Sequence, residues 1–252
     1  MADSFDTVPD EMIADGTATD AYFLRTEEAL EYADHNPRVV AEVTANQFPT
    51  GEFRVFAGVK EAARLLEDRA VDVDALPPGR LFDGGPVLRI EGPYLSFARF
   101  ETSLLGLLSQ ASGFATRAVS ARRAAPDSLV LSFGARHVHP GIASVVERSS
   151  LLAGMDGFSH VAAGEILGRE PSGTMPHALL ICFGEGNQEE GWRAFDRAVD
   201  PEVPRVALCD TFDDEATEAV RAAEAIPDLD GVRLDTTGSR RGDFAHIVRE
   251  VR

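Results

Sequence analysis

The chain has 252 residues, is 44% hydrophobic and carries a formal charge of −18, enough for one large or two small domains with real cores. That acidic balance excludes general binding to nucleic-acid backbones, which clustered lysine and arginine drive, and no run approaches the roughly 18 apolar residues of a membrane helix. The first 20 residues are polar and acidic, unlike a secretory leader, so a cytoplasmic location is expected.

Lys60 is the only lysine, and the carboxylates are dispersed along the chain, a pattern expected of an acidic halophilic protein kept hydrated in a high-salt cytoplasm. Cys182 and Cys209 each lie in an apolar run and are expected as free, buried thiols.

Through the first 115 residues, strand-like runs at 39–48, 53–58 and 86–92 are separated by turn signals at Pro49, Gly51, Asp83-Gly84-Gly85 and Pro93. Residues 58–70 carry Val59, Ala62, Ala63 and Leu66 at helical spacing, and a longer helix is predicted over 100–125. This half reads as mixed α+β. After Pro126 the runs SLVLSFG, GTMPHALLICFG, PRVALCD and GVRLD alternate with helical stretches, which predicts parallel strands joined by crossover helices. PGIASVVERSSLLAG begins with a proline suited to a first helical turn, and DDEATEAVRAAEAI has acids at its positive N-terminal end. A doubly wound sheet and a barrel both satisfy the alternation, and both place chemistry at the C-terminal ends of the strands.

Polar residues gather at those ends: Arg136, His137 and His139, then His177, Asp210, Asp235, and the run Ser239-Arg240-Arg241. His137 and His139 lack the further ligands of a zinc site, so no metal site is predicted from them. His177 beside Pro176 could equally cap a strand, and Asp210-Thr211 and Asp213-Asp214 could be helix N-caps. Nucleophile-elbow, dinucleotide and P-loop fingerprints are all absent from the sequence.

Together SFGARHVHPGIA, AGMDGFSHVAAGEILG, GTMPHAL, PRVALCDTFDDEATEA, GVRLDTTGSRRGDF and the N-terminal GTATDAYFL resemble the successive motifs of the nicotinate phosphoribosyltransferases, over most of residues 16–252. The resemblance implies an N-terminal α+β domain (1–115) followed by part of an irregular α/β barrel of the type II phosphoribosyltransferase kind (116–252). It implies an enzyme of NAD salvage that joins nicotinate to phosphoribosyl pyrophosphate with ATP hydrolysis, giving nicotinate mononucleotide, with ATP and Mg2+ as cofactors and a homodimer as the working unit. Asp210 and Asp235 would act near the ribose, through its hydroxyls or a magnesium ion, and Arg136 and Arg233 would hold phosphates or the nicotinate carboxylate. Phe133 would stack on one face of the pyridine and a partner's Tyr22 on the other. Asp156 would help distinguish pyridine substrates, and His177 would be the phosphorylated histidine. His137 and His139 would orient the loop around Arg136.

An eight-stranded barrel takes about 250 residues, more than the stretch after residue 115 supplies, and the glycine-rich loops for the 5′-phosphate find no counterpart. The chain is therefore expected to be truncated and poorly active alone. Two alternatives stay open: a quinolinate (decarboxylating) phosphoribosyltransferase, which needs more basic groups for two carboxylates and no ATP, and a non-catalytic binding or assembly module.

Overall fold

A computed structural model describes residues 5–45, 54–238 and 242–252. It divides into two units, Met1–Ser172 and Gly173–Arg252, each described by itself. The expected boundary at residue 115 lies inside one helix.

The first unit opens with α1 (Asp10–Ala14) and α2 (Ala21–Tyr32), then β1 (Arg38–Thr44), β2 (Arg54–Val55), α3 (Val59–Leu66), β3 (Asp72–Ala75), β4 (Leu81–Phe82), β5 (Pro86–Pro93) and α4 (Glu101–Ala124). β5 is the centre of an antiparallel sheet of order β1-β5-β3, with Val43 opposite Leu88 and Val73 opposite Ile90. Its residues Val87, Leu88 and Ile90, on both faces of the strand, are buried with Phe56, Leu65, Leu66 and Phe100. On α3 the buried face is Ala62, Leu65 and Leu66, while Ala63 is exposed. The larger Leu65 takes the core position and leaves Ala63 at the edge of the stripe.

The long helix α4 presents small residues, Ala111, Ser112, Ala115 and Thr116, to the short strand β2. The hydroxyls serve as hydrogen-bond acceptors for the strand: Val55 N–H donates to Thr116 Oγ1 at 2.9 Å and Ala57 N–H to Ser112 Oγ at 3.0 Å. Gly58, at φ +86°, follows directly, and a Cβ there would drive into the Leu107 carbonyl, so only glycine fits this approach.

After α4 come β6 (Leu131–Ser132), α5 (Ala143–Leu152), β7 (Gly157–Phe158) and α6 (Val161–Leu167). β6 and β7 pair in parallel; β6 lies in the predicted run SLVLSFG, whereas the two-residue β7 was not among the predicted strands. The second unit contains α7 (His177–Phe183), α8 (Gln188–Ala198), β8 (Val206–Leu208), α9 (Glu215–Ala225), β9 (Gly231–Arg233) and α10 (Phe244–Val251). Here too the strands β8 and β9 are parallel, around a core that includes Trp192, Leu208 and Ile226. Trp192 Nε1–H donates to Leu208 O at 3.1 Å, which satisfies the indole inside the core. The fold is thus the expected mixed α/β arrangement, with parallel pairs and no closed barrel among the described residues.

One predicted strand is a helix. GTMPHALLICFG forms α7, with Pro176 at its N-cap position and Gly184 closing it at φ +92°. Leu180 is buried while Ile181 and Cys182 are exposed, a one-sided burial that a helix produces and a strand buried on both faces does not. Cys182 is consequently not the buried thiol expected. Cys209 is, and burial pushes its thiol up to about 12, with Glu218 and Asp210 adding to the shift.

Candidate active site

The predicted site residues fall into two groups, one in each unit. In the second unit, β8 leads directly to Asp210 and β9 carries Arg233 with Asp235 just beyond it, so all three sit at the C-terminal ends of adjacent parallel strands. Asp210 is 5% exposed. Its Oδ2 accepts the Asp235 backbone N–H and lies 3.4 Å from Thr236 Oγ1. Its Oδ1 takes no aligned hydrogen bond, although His177 Nε2, on the first residue of α7, stands 3.1 Å away. Burial pushes the Asp210 carboxyl above the usual carboxylate range, and the negative Asp235 adds to the rise; the Asp235 amide, His177 and Thr236 oppose it. Asp210 is therefore no helix cap; that role falls to Asp214, whose Oδ1 accepts Thr217 N–H at 2.9 Å.

Arg233 is held on three sides. It donates to Thr174 Oγ1 at 3.0 Å, to Met175 O at 3.2 Å and to Asp235 Oδ2 at 2.7 Å. In this arrangement the guanidinium ties β9 to the segment before α7 and orients Asp235, whose side chain is about half exposed. The run Ser239-Arg240-Arg241 lies outside the described residues.

In the first unit, Phe133 and Arg136 follow β6 at its C-terminal end. Phe133 lines a cavity of about 540 Å³ together with Phe114, Arg117 and His137, while Arg136 is exposed. His139 fixes the loop, its Nδ1 accepting Gly141 N–H at 3.1 Å. Asp156 lies at the other end of the strand pair, where its Oδ2 accepts Val130 N–H and Arg122 Nη1–H, both at 2.7 Å. The Val130 amide and Arg122 hold its carboxyl below the usual range. Asp156 thus stitches the start of β6 to the end of α4, away from Phe133. Tyr22 is 56% exposed; its hydroxyl donates to Asp20 Oδ2, which also accepts from Thr102 Oγ1 at 2.9 Å. Tyr22 is therefore anchored at the first turn of α4, whereas the cavity of Phe133 borders α4 from residue 114 onward. At 1.5 Å per residue those places are roughly 18 Å or more apart along the helix.

The sequence reading passed over two groups. His160 follows β7 at its C-terminal end, its Nδ1 accepting Ala163 N–H at 3.2 Å as a cap of α6. It lies within the quoted run AGMDGFSHVAAGEILG, two residues after Phe158, a polar residue just beyond a strand end like Arg136. Glu218, fully buried on α9, carried no signal in the sequence, since a glutamate in an acidic helix reads as solvent-facing. Among the described residues no three histidine, cysteine or carboxylate side chains converge as a metal site. Asp210 Oδ2 is engaged by the Asp235 amide and Asp235 by Arg233, while Asp210 Oδ1 takes no aligned hydrogen bond.

Residues 20–112 match the family model for the quinolinate phosphoribosyl transferase N-terminal domain. The chain is similar to a crystal structure of nicotinate-nucleotide pyrophosphorylase from Pyrococcus furiosus, at 47% identity and TM-score 0.95, over 98% of this chain and 64% of that one. The human nicotinic acid phosphoribosyltransferase structure shares the fold, at 23% identity and TM-score 0.69 over 92% of this chain and 63% of that one. The nicotinate phosphoribosyltransferase of Bacillus subtilis (strain 168) is 28% identical over 86% of this chain and 50% of its own length; the chain spans about half the length of that curated relative. These findings overturn the principal functional expectation, an ATP-assisted nicotinate phosphoribosyltransferase. The domain that matches is of the quinolinate kind, and the structural likeness at 47% identity is to a pyrophosphorylase. The motif resemblance holds as a resemblance: the chain is similar to nicotinate and quinolinate phosphoribosyltransferases.

Proposed function

We propose that the chain carries catalytic parts of a quinolinate (decarboxylating) phosphoribosyltransferase, which joins a pyridine dicarboxylate to phosphoribosyl pyrophosphate in NAD biosynthesis. The observation that carries the chemistry is the carboxylate pair Asp210 and Asp235 at the C-terminal ends of parallel strands. In this reaction the pyridine nitrogen attacks the anomeric carbon as pyrophosphate leaves; the ring's 2-carboxylate then departs as carbon dioxide and a proton takes its place. Positive charge develops on the ribose during the displacement, and preorganised carboxylates stabilise it. Asp235, oriented by Arg233, faces outward for this task. Asp210 sits behind it, holding the Asp235 amide and His177.

The cavity beside Phe133 supports the dicarboxylate over a monocarboxylate. Arg117 and His137 join two phenylalanines there, giving an aromatic wall and two basic groups, the chemistry that a flat, doubly acidic ring requires. Magnesium enters this reading only as the companion of the substrate's pyrophosphate, a usual mode for that ion. The separation of Tyr22 from Phe133 along α4 supports a homodimer, since a ring sandwiched between the two needs Tyr22 from a second chain.

The test is turnover with phosphoribosyl pyrophosphate and either pyridine acid. Weak release of carbon dioxide from quinolinate without ATP is expected, from a species that sediments as a dimer. ATP-stimulated turnover of nicotinate with none of quinolinate would refute the proposal. Binding of nicotinate mononucleotide without turnover of either acid would point instead to a binding module.

A further inference from the structure

Glu218 lies on the inward face of α9, fully buried. Its carboxylate is the acceptor for three consecutive backbone amides: Thr211 N–H reaches Oε2 at 2.9 Å, and Phe212 and Asp213 N–H reach Oε1 at 2.9 and 3.1 Å. Successive N–H groups that converge in this way form an anion-binding nest, and here the anion is the protein's own. Gln188, also fully buried, brings Nε2 to 3.4 Å from Oε1, and Arg221 Nη2 donates to Gln188 Oε1 at 3.3 Å. Arg221 is itself fixed by Glu189 and Asp213. The carboxylate is therefore braced from α8 as well as from its own helix.

The first of the three amides belongs to the residue directly after Asp210. We infer that Glu218 is a positioning residue which, by filling this nest, fixes the peptide after Asp210 and holds the Asp210 carboxylate against His177 and the Asp235 amide. The inference deepens the proposed function and rests on its assignment of Asp210 to the site. With the nest already filled, the loop after β8 is no phosphate cradle, and its three donors serve geometry alone. Charge-assisted hydrogen bonds of this kind are roughly twice as strong as neutral ones, which suits a group whose task is to keep a loop from moving.

The experiment compares the whole chain with Glu218→Gln and Glu218→Ala, reading the amide resonances of 211–213 and the ¹⁵N imidazole resonances of His177 at one fixed pH. The His177 signals are assigned by their loss in His177→Asn. In Glu218→Gln one oxygen remains for Phe212 and Asp213, while an NH2 group meets the Thr211 N–H and cannot accept it. The Thr211 amide and the His177 imidazole are expected to shift together. In Glu218→Ala all three amides shift, and added formate, a small anion that fits the vacated nest, returns the His177 signals toward the wild-type positions. Recovery by formate separates positioning from mere packing, which formate does not restore. His177 signals unmoved in folded Glu218→Gln would overturn the inference, as would folded Glu218→Ala in which formate moves nothing; if the alanine variant does not fold, the glutamine variant decides alone. The readout needs no turnover, so failure of the quinolinate assay and failure of the clamp are separate results.

Discussion

Glu147 and Glu218 occupy comparable places in two strand–loop–helix crossings, yet their carboxylates meet opposite surroundings. Each is fully buried on the helix that follows a parallel strand, α5 after β6 and α9 after β8. Glu218 accepts three backbone N–H groups. Neither oxygen of Glu147 has a hydrogen-bond partner. Burial pushes the Glu147 carboxyl above its ordinary range, and the nearby Ser132 hydroxyl, His160 and Ala135 amide only partly offset the rise. Equal burial therefore has two consequences. Where the loop turns its amides inward, a carboxylate becomes a brace for the strand end; where it does not, burial shifts the balance toward the neutral acid.

The largest effect expected from breaking this contrast is in Glu218→Ala, which leaves three loop amides without their acceptor. A loss of roughly 2–4 kcal/mol is expected from the cost of unsatisfied buried donors, measured by urea denaturation. A loss no greater than that of an exposed-surface substitution would show that water replaces the carboxylate without penalty.

Asp156 sharpens the contrast from the other end of β6, because it gives the first crossing the amide acceptor that Glu147 does not. Asp156→Ala is expected to lower the denaturation midpoint by less than Glu218→Ala, since the Arg122–Asp156 pair is partly exposed and screened. Pyridine-acid affinity should be unchanged in that variant; a change of substrate preference would restore the role first expected of Asp156.

The smallest effect belongs to Glu147→Gln and is a dependence on pH. The folded-state pKa of Glu147 lies above the unfolded value, near 4.5, so its contribution to stability is fully present below that value and is lost as pH rises toward the folded pKa. The glutamine variant keeps the neutral shape and escapes this loss. Its stability relative to wild type should therefore increase from pH 4 to pH 7. Asp210 is shifted in the same direction, but it is common to both proteins and cancels in the difference. A flat difference across that range would mean that burial does not raise the Glu147 pKa above its unfolded value.

How legible this molecule was depended on how far each feature is local. β5, α3, α4 and the β8–β9 pair follow from hydrophobic period and turn residues, and the C-terminal strand ends picked out Asp210, Asp235 and Arg136, because a parallel sheet places its loops there whatever the details. The run LLIC between Pro176 and Gly184 was not legible, since four apolar residues satisfy a buried strand and a helix alike. Only packing, with Leu180 buried and Ile181 exposed, decides between them.

By itself the sequence determined the mixed α/β class, most of its elements and a resemblance to pyridine phosphoribosyltransferases, all carried by patterns within a few residues of one another. Tertiary structure alone decided which charged groups lose their water. A glutamate at 147 or 218 looks solvent-facing in a helical wheel, and Arg233 looks like a free anion ligand. Their roles come from partners up to 59 residues away in sequence, Thr174 for Arg233, and the free energy of a buried charge depends on whether such partners meet it in space.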